Sequence, residues 1–137
     1  MEEQISGYRE LDHTADWEIE VWAPDLAGLF EEAARGMYAL SGARLDTRNP
    51  ESRTIVVSAM EPEVLLVMFL EELLYFGEME NLGFDKFELR LEGGELSAKL
   101  EGGSLVSLEK EIKAVTYHNL HIRETGRGIK VKIVFDV

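Results

Sequence analysis

Seven consecutive apolar residues, Val64-Leu65-Leu66-Val67-Met68-Phe69-Leu70, sit inside a segment with the marks of a helix. Pro62 suits a first helical turn, and the pattern continues to about Glu80. A helix that is apolar on nearly all sides has no face to give to solvent, so other elements must pack on more than one side of it. The spacing therefore predicts a central helix, with the rest of the 137-residue chain supplying layers around it. That length suits a single domain, 1–137, with a sizeable core. The far end of the helix carries Glu71, Glu72, Glu78 and Glu80. Acids in a last turn oppose the helix dipole, and the expectation is a solvated end, with a partner-facing acidic patch as the alternative.

The flanking segments supply a second helix and strands. Trp17-Glu18-Ile19-Glu20-Val21-Trp22 alternates with period two, so Trp17, Ile19 and Val21 share the buried face of a strand. Pro24-Asp25 ends that strand and offers an N-cap to a helix whose apolar stripe is Leu26, Leu29, Phe30, Ala33, Met37 and Leu40. Gly42 is the expected C-cap. Residues 43–52 read as a polar connection around Asn49-Pro50, and 53–59 as a strand.

Beyond the central helix, Phe87, Leu89 and Leu91 alternate, Gly93-Gly94 makes a two-residue turn, and Leu96, Ala98 and Leu100 alternate back. Gly102-Gly103-Ser104 breaks the pattern, and residues 112–118 resume it. Gly126-Arg127-Gly128 turns into a last strand with Ile129, Val131, Ile133 and Phe135 on its core face. Helices that alternate with strands and then give way to a run of strands define an α+β fold. The expected form is a two-layer sandwich with a largely antiparallel sheet packed against two helices.

Charge narrows the function. The net charge is −13, and residues 108–137 carry six basic and four acidic side chains against an excess of acid elsewhere. Such a chain repels nucleic acid at long range, which argues against an autonomous RNA or DNA binder and suits a partner with a basic surface, or solubility alone. There is no cysteine, so any metal must be held by oxygen or imidazole. No apolar run approaches the roughly 18 residues of a membrane span, and the opening Met1-Glu2-Glu3-Gln4 lacks a basic signal-peptide flank. A cytoplasmic protein without membrane contact is expected.

Two stretches carry candidate chemistry. Leu11-Asp12-His13-Thr14-Ala15-Asp16-Trp17 gathers two carboxylates, an imidazole and a hydroxyl at the mouth of the first strand. The same residues also suit an Asx or Thr turn with no further role. At the other end of the chain, Asp136 stands beside the carboxylate of Val137 on a strand. Two negative groups held that close call for a cation or a basic side chain between them. With Asp16, they would form an all-oxygen site favouring calcium, magnesium or manganese. His118 and His121, three apart on extended chain, point to opposite faces and make a poor ligand pair.

The run Asp12-His13-Thr14-Ala15-Asp16, the stretch Lys113-Ala114-Val115-Thr116-Tyr117-His118 and the end Val134-Phe135-Asp136-Val137 together resemble the archease family, over essentially the whole chain. The resemblance implies a non-enzymatic accessory protein of tRNA splicing that activates the RtcB-type RNA ligase. It would promote guanylylation of the ligase's histidine and multiple turnover, widen the nucleotides accepted, and bind a divalent cation, calcium foremost. Carried over by residue, Asp16, Asp136 and Val137 would be the metal ligands. Asp12, His13 and Lys113 are candidate supporting or partner contacts; for Lys113 the alternative is a solvated strand lysine. Two other classes stand beside this one: a chaperone-like modulator of RNA- or DNA-processing proteins without site chemistry, and a stand-alone metal-dependent phosphoesterase. Against the latter, the sequence has no evident dedicated base, second-metal cluster or glycine-rich phosphate loop.

Overall fold

A computed structural model describes residues 5–11 and 17–137. The central helix forms as expected. It is α2, Pro62–Glu80, and it buries Leu65, Leu66, Val67, Phe69, Leu70 and Leu73. The shorter helix α1, Leu26–Ser41, starts where the Asp25 carboxylate accepts the Gly28 N–H at 2.8 Å. It ends at Gly42, whose left-handed backbone (φ 66°) suits the residue that lacks a Cβ. The two helices meet through stacked rings of Phe30 and Phe69, 6.0 Å apart.

The strands divide between two antiparallel sheets. One joins β1 (Gly7–Leu11), β2 (Trp17–Ala23), β8 (Gly128–Asp136) and β6 (Ala114–Val115) in that order, with β7 (Arg123–Thr125) also paired to β8. The other has the order β3 (Arg44–Ser58), β5 (Glu95–Ser107), β4 (Leu82–Glu92). Helix α1 packs on β1 and β2 and also on β4 of the second sheet, while α2 packs on β3, β4 and β5 and also reaches β6 of the first. Ile19, Val21, Val131, Ile133 and Phe135 of the first sheet share one hydrophobic cluster with Ile55, Leu96, Ala98 and Leu100 of the second. The α+β class and the antiparallel pairing are as read from the sequence; the division into two sheets was not legible there. Among the described residues no helix is long and apolar enough to cross a membrane.

Three local readings change. Residues 43–52 are largely strand rather than connection: β3 begins at Arg44, and its register with β5 shifts between Asp46 and Glu51. Gly102-Gly103 does not interrupt β5 but carries it through a crowded passage. A Cβ on Gly102 would stand 1.9 Å from the Gly83 carbonyl oxygen, and one on Gly103 1.9 Å from that of Asp46. The glycines let three backbones approach where any side chain would collide. Finally, the apolar stretch 112–118 pairs as a strand only over Ala114–Val115. Two carboxylates of α2 take backbone donors on this side of the fold: Glu71 Oε1 accepts the Val115 N–H at 2.9 Å and Glu63 Oε2 the Ile122 N–H at 3.0 Å. Glu71 is therefore a structural acceptor rather than part of a solvated end, and Glu80 is paired with Arg53 at 2.7 Å.

Candidate functional site

The candidate cation site gathers at the end of β8. Alternation along that strand sends Val131, Ile133 and Phe135 into the core and leaves Asp136 exposed. Phe135 lies opposite Trp17 of β2 on one side and Val115 of β6 on the other. The strand end is pinned at successive points. The Asp136 carbonyl accepts the Lys113 N–H at 2.8 Å, and the Val134 carbonyl accepts the Thr116 N–H at 3.0 Å. Because Glu71 also holds Val115, the backbone beside Asp136 is tied to the central helix. Val137 is half-buried against the hydrophobic cluster. An exposed carboxylate on so constrained a backbone is well placed to act as a ligand, since little ordering is left to do on binding.

Trp17 of β2 lies across from the end of β8. It is the direct chain neighbour of Asp16, and its register partner Phe135 is the direct chain neighbour of Asp136. Asp12, His13 and Asp16 lie outside the described residues. Among the described residues no three His, Asp or Glu side chains come together in a metal-binding group. The oxygens available, those of Asp136 and Val137, are hard donors of the type that suits calcium, magnesium or manganese.

Lys113 contributes to this region through its backbone N–H. Its side chain lines a cavity of about 640 Å³ between the helices and the 105–113 segment, shared with Tyr38, Leu105 and Glu111. Burial pushes the Tyr38 hydroxyl well above the usual phenol range. The chain turns at His118-Asn119 rather than running extended there, and the two histidines have different partners: His118 Nε2 faces the Asn119 amide at 3.2 Å, and His121 lies 3.7 Å from Glu63.

Two residues near the site escaped the sequence reading. Glu71 is one, concealed within an acidic helix end. Lys110 is the other: its ammonium sits 3.8 Å from the centre of the Trp17 ring, a cation–π contact that steadies the start of β2. Neither has a local sequence signal, because both act across the fold. The strand β1 was also missed.

Two helices packed with two antiparallel sheets around one hydrophobic cluster define a small α+β protein. Residues 8–137 match the Archease protein family, and the chain belongs to that family. It is 36% identical to the protein archease of Methanosarcina barkeri, the alignment covering 100% of both chains. The crystal structure of an archease from Thermotoga maritima, described as a possible chaperone, shares the fold. It has a TM-score of 0.71 and 28% identity over 94% of this chain and 96% of that one. The solution structure of a Methanobacterium thermoautotrophicum protein also has a TM-score of 0.71, with 26% identity over 96% of this chain and 99% of that one.

Proposed function

We propose that this archease-family chain is a cytoplasmic, non-enzymatic activator of an RtcB-type RNA ligase in tRNA splicing. Its working element is a divalent-cation site formed by Asp16, Asp136 and the oxygens of Val137. The observation that carries the reading is the register of β2 on β8, because the partners Trp17 and Phe135 are the chain neighbours of the two aspartates. A bound divalent cation would neutralise phosphate charge during nucleotide transfer. The protein's own part is to hold the ligand oxygens on a rigid strand end and to bring them to the ligase. The net charge of −13 favours docking on a basic surface. Asp12 and His13 are assigned to partner contact, and Lys113 to positioning the Asp136 backbone. Calcium is the ion proposed, with magnesium or manganese as substitutes of the same hard-oxygen chemistry.

Titration calorimetry with calcium tests the site. The wild-type chain is expected to bind saturably, and Asp136→Asn to weaken binding at least tenfold with an unchanged circular dichroism spectrum. Equal calcium binding by Asp136→Asn and wild type would remove Asp136 from the ligand set. A chaperone reading, suggested by the description of the Thermotoga maritima protein, predicts an activity indifferent to this substitution.

A further inference from the structure

Both helices end beside the cavity of about 640 Å³ that the 105–113 segment borders. Helix α1 reaches it through Met37, Tyr38 and Ser41, and α2 through Gly77 and Glu78, all near the helix C-termini. A helix C-terminus carries roughly half a negative charge, which a Lys or Arg in the last turn normally offsets. Neither helix has a basic residue in its last turn. Two negative helix ends therefore converge, uncompensated, on one groove.

Carboxylates add to that potential instead of relieving it. Glu78 stands on α2 and Glu111 on the opposite bank. Glu109, from the same bank as Glu111, lies over the end of α1: a Cβ on Gly42 would be 2.7 Å from Glu109 Oε2. Among the described residues, none of these three carboxylates has an ion-pair partner. By contrast, Glu71 and Glu80 of the same acidic helix end are engaged, by Val115 and Arg53. Lys113 is the one basic residue in the lining, and nearby Lys110 is held on the Trp17 ring.

Between the charged banks the groove is apolar. Met37, Leu73 and Leu82 are buried at its base, Leu74 and Leu105 are half-buried, and Leu108 is 45% exposed. An open apolar strip with a polar rim is the anatomy of a surface that another protein covers.

We infer that this groove receives a segment of a partner protein in which large apolar side chains are flanked by lysines or arginines. The apolar side chains would cover Leu74, Leu105 and Leu108, and the cations would meet Glu78, Glu109 and Glu111. Charge selects this occupant. A nucleic acid has the wrong sign for such a rim, and a neutral apolar molecule would gain nothing from the carboxylates. Acids on both banks suit cations spaced along a chain. Occupancy of the groove depends neither on a bound cation nor on the partner's being a ligase.

The test is calorimetry on the full chain with EDTA present, at about 0.15 M salt, where a Debye length of about 8 Å screens the overall charge. The probes are three synthetic sixteen-residue peptides. One has leucines on one helical face and lysines on the other, the second scatters the same residues, and the third replaces every lysine by glutamate. The first is expected to bind saturably, the second at least tenfold more weakly, and the third not detectably. Glu78→Lys combined with Glu111→Lys should weaken the first peptide at least tenfold, and Leu108→Ser about threefold, with unchanged circular dichroism. Glu92→Lys combined with Glu95→Lys makes the same change in net charge on exposed positions at the far end of β4 from Leu82. That pair should change the affinity less than twofold. No saturable binding of the first peptide, equal binding of the first and second, or equal losses from the two charge-reversed pairs in folded proteins would each overturn the inference.

Discussion

The two sheets share one core but use their polar residues in different ways. In the β3-β5-β4 sheet charges of both signs are interleaved along exposed strands: Lys86 meets Glu101 at 3.1 Å and Lys99 meets Glu88 at 3.9 Å, while Glu92 and Glu95 stand opposite each other. Exposed pairs of this kind contribute little stability. In the sheet around β8 the charges are sorted instead. Cations gather near the start of the strand, while Asp136 and Val137 close its end. One sheet spreads its ion pairs along exposed strands; the other pairs two cations with one nearly buried carboxylate and ends on the exposed Asp136. The concentration of candidate chemistry on the β8 sheet follows from that difference.

The largest expected effect breaks the core that both sheets share. Phe135→Ala removes a fully buried ring between Trp17 and Val115, next to the candidate cation site. Such truncations typically cost about 3–5 kcal/mol. Denaturant unfolding is expected to show a loss of that size. A loss under about 1 kcal/mol would mean that the end of β8 is not part of the core.

A smaller loss, of about 1–3 kcal/mol, is expected for Gly103→Ala in the other sheet, where the new methyl would collide with the Asp46 carbonyl. The two substitutions separate the roles of the sheets. Gly103→Ala should lower the thermal midpoint yet leave calcium affinity unchanged at a temperature where the protein is folded. If it weakened calcium binding in the folded protein, the sheets would not be independent in function.

The smallest effect concerns a surface pair on β3. The Arg48 guanidinium, by hydrogen bonding, holds the Asp46 carboxyl at about 2, well below its ordinary value. A carboxylate with a depressed folded-state pKa adds stability that is fully present above its unfolded pKa, about 3.9, and is lost as pH falls through its folded value. In NMR titration, Asp46 should therefore titrate near 2, and Arg48→Ala should raise its midpoint toward about 3.9. Because the pair is exposed, the thermal midpoint at pH 7 should hardly move. An unchanged Asp46 midpoint in the variant would show that the pair does not persist in solution.

How much of this was legible in the sequence depended on the range of each signal. Both helices and the caps of α1 were readable, because Pro62, the Asp25 cap and Gly42 act within a turn of the residues they control; the left-handed Asn81 that caps α2 was not read. The alternation of β8 was readable for the same reason, and it placed Asp136 on the exposed face. The strand character of 44–52 was not, since β3 holds its polar residues in place by pairing with β5 half the chain away. Gly102-Gly103 looked like a break because glycine weakens a strand locally; their need arises only from the backbones of Gly83 and Asp46. At the candidate site, the carboxylates stood out in sequence as isolated motifs. The register that brings Trp17 beside Phe135, the Glu71 contact to Val115 and the Lys110 contact to Trp17 are properties of the folded chain alone.

The central claim is that this chain activates a ligase through the cation ligands at the end of β8. Formation of the ligase–guanylate adduct tests it most directly, with a purified RtcB-type ligase, GTP, divalent cation and a substoichiometric amount of this protein. Wild-type protein is predicted to speed adduct formation and sustain repeated ligation, and to hydrolyse neither RNA nor nucleotide by itself. The Asp16→Ala, Asp136→Ala double variant, folded by circular dichroism, is predicted to lose most of that effect, because ligands arranged around one cation act as a unit. Full activation by the folded double variant would contradict a role for the cation site, and no activation by the wild-type chain would contradict the ligase assignment itself.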